Sequence, residues 1–333
     1  MPYNFKNIIF EGGGVKGIAY GGALKVLDEM KILQGVKRVA GTSAGAINAS
    51  LLSVGYTYKE VADIIASTSF NSFKDKSWFF LSNFNRLLYK FGFFKGDAFS
   101  TWLGDLIEKK TGNKAFTFGE LKSEAEAKGF KELFVVATNL TEQKGQVLSH
   151  ESNPDLPIRD AVRMSMGIPI FFKSFSWKKN IMVDGGVSWN YPINIFDYKT
   201  YLSNPANGDS ISVKAYVQDD DYVFNYETLG FRLDSKTVID YEKHNWALQP
   251  QKIGGIKDYT QAVINFMMET ANNSHLHQND WNRTVFIDSL DIKTTQFDLT
   301  PGDINNLTAS GEKCTRKYFE WRDGDALWSA KPR

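Results

Sequence analysis

Cysteine is almost missing from this 333-residue chain: Cys314 stands alone, which excludes an internal disulfide framework and any cysteine-rich zinc site. No sign of charge prevails. With 39 Lys and Arg against 38 Asp and Glu the formal net charge is +1, so no basic field points to nucleic acid. No apolar run approaches the ~18 residues needed to span a bilayer. Met1–Asn7 lacks the charged start and apolar stretch of a secretory signal. Internal repeats, low-complexity tracts and long Pro/Gly/Ser linkers are absent as well. Asp219-Asp220-Asp221 lacks the alternating ligands and glycine turn of a calcium loop, so neither metal nor other cofactor is expected. Together these absences lead us to expect a cytoplasmic protein that meets membranes only peripherally.

What is present is an alternation of short apolar runs and glycine-rich turns. Asn7–Phe10 reads as a buried strand, and apolar residues at helical spacing from Val15 to Met30 read as the helix that follows. Val36–Ala40 is a second strand leading to a helix over Ala46–Val54; Leu133–Thr138 and Ile181–Val183 are later strands. Strand–loop–helix order with short connections implies an α/β fold on a mostly parallel sheet. Beyond Asp197 the spacing predicts strands over Ile211–Val217 and Thr284–Ile287, and helices over Asp258–Thr270 and Cys314–Arg322. The chemistry is expected within residues 1–200, with residues 201–333 packed onto or completing the same domain.

Three glycine-containing motifs carry the chemistry. Gly41-Thr42-Ser43-Ala44-Gly45 fits G-x-S-x-G, in which a sharp strand-to-helix turn lifts a serine hydroxyl out of the sheet. Gly12-Gly13-Gly14-Val15-Lys16-Gly17 fits a dinucleotide fingerprint formally, yet the next strand ends in Gly41-Thr42-Ser43 where that fingerprint needs a ribose-binding acid. The other reading of this loop is an oxyanion cradle, since consecutive glycines expose backbone N–H groups at a helix start. Asp184-Gly185-Gly186 places a carboxylate on a turn that another loop can approach closely. In isolation each motif is also an ordinary turn.

In this order and at these separations the three motifs resemble the signature blocks of the patatin-like phospholipase family. Ala161–Pro169 resembles that family's helix and apolar turn ahead of the aspartate, so the likeness runs from Ile8 to about Asp197. The resemblance implies a three-layer, modified α/β-hydrolase-like sandwich with a Ser43–Asp184 dyad and no histidine. It implies oxyanion donors among Gly12, Gly13, Gly14 and Ala44, supported by Lys16, Gly17, Gly41, Gly45, Gly185 and Gly186. The substrate would be a phospholipid or another acyl lipid. An ordinary triad is the competing chemistry, with Asp184 followed by His244, His275 or His277; His150 precedes the aspartate. Acyl transfer, or an effector or storage protein held latent until a partner binds, are the other readings, and delivery into another cell goes with the effector one.

Aromatic residues are 14% of the chain and crowd the stretch from Phe70 to Trp102, where Lys74, Lys76, Arg86, Lys90 and Lys95 are interleaved. Rings beside cations suit a lipid headgroup zone, so part of this stretch is expected to form a lid or membrane-facing wall, the remaining rings packing as core.

Overall fold

Strand β1 (Asn7–Phe10) has no exposed side: Ile8 and Phe10 enter a large core on one face of the sheet, and Ile9 a smaller core on the other. Burial on both faces is what a parallel strand inside an α/β layer requires. The computed structural model describes residues 3–68, 92–94, 96–210, 219–234 and 278–324, with isolated positions between 253 and 270. Strands β2 (Arg38–Thr42), β3 (Glu132–Asn139), β4 (Lys144–Leu148), β5 (Phe175–Trp177), β6 (Asn180–Asp184), β7 (Thr228–Asp234) and β8 (Thr284–Asp288) join β1 in one eight-stranded sheet. Its order is β8-β7-β1-β2-β3-β6-β5, with β4 paired to β3. Pairing is parallel from β8 through β3, and antiparallel where β4, β5 and β6 complete the edge. Strands from both sides of residue 200 therefore share one hydrogen-bonded layer.

Helices α1 (Tyr20–Glu29), α2 (Ala44–Ser53), α3 (Tyr58–Ser67), α4 (Asp97–Thr111), α5 (Phe118–Lys128), α6 (Ile158–Ser165) and α7 (Pro301–Gly324) accompany the sheet. Every residue of α2 is buried, so it runs through the core rather than over it. Helices α3 and α5 each start with a reciprocal cap, Thr57 with Glu60 and Thr117 with Glu120. The smaller core on the far face is roofed by Tyr191, Ile193, Ile195 and Phe196, packed on Ile9, Ala40, Phe134 and Val136.

The helix expected from Val15 begins later. Gly14–Ala19 is a 3-10 turn and the α-helix starts at Tyr20, because the chain leaves the glycine loop with Gly14 at φ +55° before it can settle into regular spacing. The helix expected over Cys314–Arg322 instead starts at Pro301. Thr300 caps it, accepting from the Asp303 N–H at 3.1 Å while its own N–H donates to that carboxylate at 2.9 Å. The strand expected over Ile211–Val217 lies outside the described residues, as do His244, His275, His277, most of the helix expected over Asp258–Thr270 and most of the aromatic stretch. At the end of that stretch Phe99 is core and Trp102 packs beside it.

Buried charge fastens the later strands to the earlier ones. Arg283 sits between Asp197 and Asp280, at 2.6 Å from each, and all three are buried. Its guanidinium makes a two-pronged contact with Asp197, the geometry that satisfies a desolvated carboxylate best.

Candidate functional site

The register of β3 explains how two side chains 141 residues apart come together. β2 runs parallel to β3 and pairs with it as far as Thr42 opposite Val136. β6 runs the other way and pairs with Ala137 through Asp184. Since β4 pairs with β3 over Val135–Asn139, β2 and β6 must share the opposite edge. They meet end to end at Val136 and Ala137, and the residue that leaves β2 there is Ser43.

Ser43 adopts φ 53° and ψ −123°, a backbone conformation that L residues avoid and that costs about 1–3 kcal/mol. It stands at the N-cap of α2, yet its hydroxyl caps nothing in that helix. The hydroxyl instead donates to Asp184 Oδ2 at 2.8 Å, and both residues are buried. The Asp184 Oδ1 atom accepts from the Gly186 N–H at 2.8 Å, which fixes the carboxylate plane. Thr138 Oγ1 donates to the Asp184 carbonyl at 2.7 Å. Burial pushes the Asp184 carboxyl up to about 7, against the opposing pull of the Gly186 amide and the Ser43 hydroxyl. A carboxylate poised there is a much better proton acceptor than one near ~3.9.

The motif glycines make close approach of backbone possible. A Cβ on Gly41 would strike Gly45, and one on Gly185 would strike the Val136 carbonyl. Gly17 lies against Ala44. A Cβ on Gly45 would run into the carbonyls of Phe10 and Glu11, which are backbone and cannot swing away. Gly45→Ala is accordingly expected to destabilise the protein by about 1–3 kcal/mol, read as a fall of several degrees in thermal unfolding. An unchanged transition would show that β1 and α2 are not wedged together here.

Gly12 lies beside the nucleophile: a Cβ placed on it would be 3.1 Å from Ser43 Cβ. Its N–H is already engaged, donating to the Asn190 carbonyl at 3.1 Å. Of the expected oxyanion donors this leaves the amides of Gly13, Gly14 and Ala44, all at helix starts, where the first amides have no intrahelical acceptor. The positive end of the α2 dipole is directed to the same place. Lys16 is half-buried on the first turn after the loop.

Three residues of the site had no signal of their own in the sequence. Ser165 Oγ accepts from the Ser43 N–H at 2.8 Å and donates to the Val136 carbonyl at 2.5 Å, bracing the strained elbow from behind. Thr138 and Asn190 are the others. His150 packs edge-on against Phe134 and faces Glu132 at the opposite end of β3, away from the dyad. Among the described residues no cluster of three or more His, Cys, Asp or Glu could hold a metal, and no helix is long and apolar enough to cross a membrane.

A strained serine bonded to a buried aspartate, beside a glycine loop on a mixed, mostly parallel sheet, defines the class: an α/β fold with a serine elbow. The chain belongs to the patatin-like phospholipase family, whose model matches residues 8–197. It is 39% identical over 202 residues to the uncharacterized protein YqhO of Bacillus subtilis, covering 56% of this chain and 65% of that one. It is 30% identical over 199 residues to the probable lipid hydrolase 463L of Invertebrate iridescent virus 6, covering 58% and 64%. The chain thus spans just under two thirds of the length of these curated relatives. Among solved structures, VipD from Legionella pneumophila has the same fold, with a TM-score of 0.58 at 16% identity over 96% of this chain and 67% of that one. ExoU in the heterodimeric ExoU–SpcU complex of Pseudomonas aeruginosa gives 0.56 at 17%, over 97% and 52%.

Proposed function

We propose that this protein is a lipid acyl hydrolase that cleaves fatty acyl esters through an acyl-enzyme on Ser43. The observation that carries the reading is the 2.8 Å bond from the Ser43 hydroxyl to a buried carboxylate held near neutrality. Asp184 takes the hydroxyl proton as Ser43 Oγ attacks the acyl carbonyl, and the carbonyl oxygen becomes an oxyanion. The N–H groups of Gly13, Gly14 and Ala44 receive that charge; one such donor is typically worth about 2.7–4 kcal/mol. Asp184 then gives its proton to the leaving alcohol oxygen as the ester bond breaks. Water enters, Asp184 removes its proton, the hydroxide attacks the acyl carbon, and Ser43 Oγ leaves and is reprotonated. The carboxylate performs both proton transfers, so no histidine is required.

The substrate class is a phospholipid or lysophospholipid at a membrane surface, with Gly12 shaping the loop rather than donating. Incubating the protein with phosphatidylcholine vesicles, lysophosphatidylcholine micelles and a triacylglycerol emulsion tests this. Free fatty acid is expected from the first two faster than from the third, and none from Ser43→Ala. Release from the triacylglycerol alone would move the substrate class to neutral lipids. Acyl transfer on the same dyad would instead appear as acylated acceptor when glycerol or another alcohol is added.

A requirement for a partner is a second reading, favoured by one observation: ExoU, which shares the fold, was solved as a heterodimer with SpcU. Activity that emerges only when a cell lysate is added would support it.

A further inference from the structure

We infer that Asn190 is a positioning residue that holds the glycine loop in register with the dyad; the inference rests on the function proposed above. Asn190 is 3% exposed and grips Gly12 from both sides of its peptide. Its carbonyl accepts the Gly12 N–H at 3.1 Å, while its side-chain Nδ2 donates to the Gly12 carbonyl at 3.1 Å. Its Oδ1 lies too near to admit a Cβ on Gly12, so the side chain also closes over the residue's open face. One side chain thus fixes the rotation of the peptide that leads into Gly13.

The orientation of that amide is itself determined. Nδ2 donates a second time, to Glu11 Oε1 at 3.1 Å, so both of its neighbours are acceptors. A flipped amide would set oxygen against a carboxylate and a carbonyl, which electrostatics forbids. Glu11 in turn is anchored: its Oε2 accepts from the Leu233 N–H at 2.6 Å, and Arg232 stands 3.9 Å from its Oε1. The aspartate loop therefore touches both other motifs within seven residues. Asp184 bonds the nucleophile, the Trp189 carbonyl accepts from Thr42 Oγ1 at 3.1 Å just ahead of the elbow, and Asn190 clasps Gly12. The base and the oxyanion donors are placed by the same short stretch of chain.

Asn190→Asp keeps the shape and turns the donor into an acceptor, facing Glu11 and the Gly12 carbonyl; Asn190→Ala removes the side-chain half of the grip and leaves the backbone bond to the Gly12 N–H. Misplacing reacting groups by about an ångström typically costs about 100-fold in rate. In both variants kcat for a soluble short-chain ester is expected to fall about 10- to 100-fold, with KM within about twofold, because the substrate's ground state does not use the loop amides as its transition state does. In the uncharged Asn190→Ala the midpoint of the pH–rate profile is expected to stay at the wild-type value, since the Ser43–Asp184 bond is untouched. A kcat within about threefold of wild type, in either variant that unfolds cooperatively, would overturn the inference. So would a raised KM at unchanged kcat. Failure of both variants to fold would assign Asn190 to stability and overturn it too. Ser43→Ala assayed alongside separates the two claims: if it remains active the proposed function fails, whereas an inactive Ser43→Ala beside active Asn190 variants sinks only the role of Asn190.

Discussion

Ser43→Ala is expected to abolish labelling by a fluorophosphonate and to lower acyl release by about a thousandfold or more, because the proposed acyl-enzyme forms on this hydroxyl. The loss should not come from unfolding. Alanine keeps the Cβ, so the backbone strain at φ 53° remains, and the Ser43 N–H still donates to Ser165. What disappears is the hydroxyl that helps hold Asp184 ionised, so the buried carboxyl should become harder to ionise, with little change in thermal unfolding near neutral pH. Ser43→Gly separates strain from chemistry. It is equally inactive but relieves a conformation that glycine adopts freely, and should therefore unfold at a higher temperature than Ser43→Ala. Labelling that persists in Ser43→Ala would mean that another nucleophile does the work and would end the site assignment.

Asp184→Asn is expected to reduce acyl release by about 10³- to 10⁴-fold and to make the protein more stable. The two effects share a cause. Oδ1 can still accept from Gly186, and Nδ2 can face Ser43 Oγ, so the geometry survives while the base is lost. In the wild-type protein the carboxyl is pushed up to about 7 by burial. An aspartate in the unfolded chain titrates near ~3.9, so the folded protein binds this proton more tightly. Its contribution to stability is complete below about pH 4 and is lost as pH rises through about 7. Activity follows the opposite course: hydrolysis should climb with pH as Asp184 ionises, with an acidic limb centred near 7. Asp184→Asn should remove that dependence from the unfolding curve, and its stabilisation should be greatest at pH 8 and vanish near pH 4. An acidic limb near pH 4 to 5 would show that the carboxylate is better solvated than its burial implies.

The sequence alone was legible where local chemistry and tertiary structure agree. The three glycine motifs and the runs Asn7–Phe10 and Leu133–Thr138 are strand and turn by composition, and the fold gives them no reason to depart from it. Strand β7 was not legible because Arg232 and Asp234 read as surface residues, whereas both are buried: they form an ion pair at 3.0 Å next to Glu11. The first turns of α7 were hidden for a different reason. Their buried face includes Ser310 and Gly311, small enough for Gly311 to lie on the Ala19 carbonyl and for Gly22 of α1 to lie on Thr308, so tight packing takes the place of an apolar stripe. Ser165 and Asn190 belong to the site only through partners supplied by distant segments. A serine between two methionines and an asparagine before Tyr191 carry no local mark of those bonds.

The head-on meeting of β2 and β6 along one edge of β3 has a consequence for how this chemistry tolerates change. Successive strand residues point to opposite faces, so sliding β6 by a single residue would send the Asp184 carboxylate through the sheet and bring Val183 up against Ser43. Drift in the loops around the dyad can be absorbed by degrees, but an inserted or deleted residue between Asn180 and Asp184 admits no intermediate outcome. The pairing of acid and alcohol is in this sense counted in whole residues, and lineages that alter the length of that short strand should be found to have lost the reaction rather than weakened it.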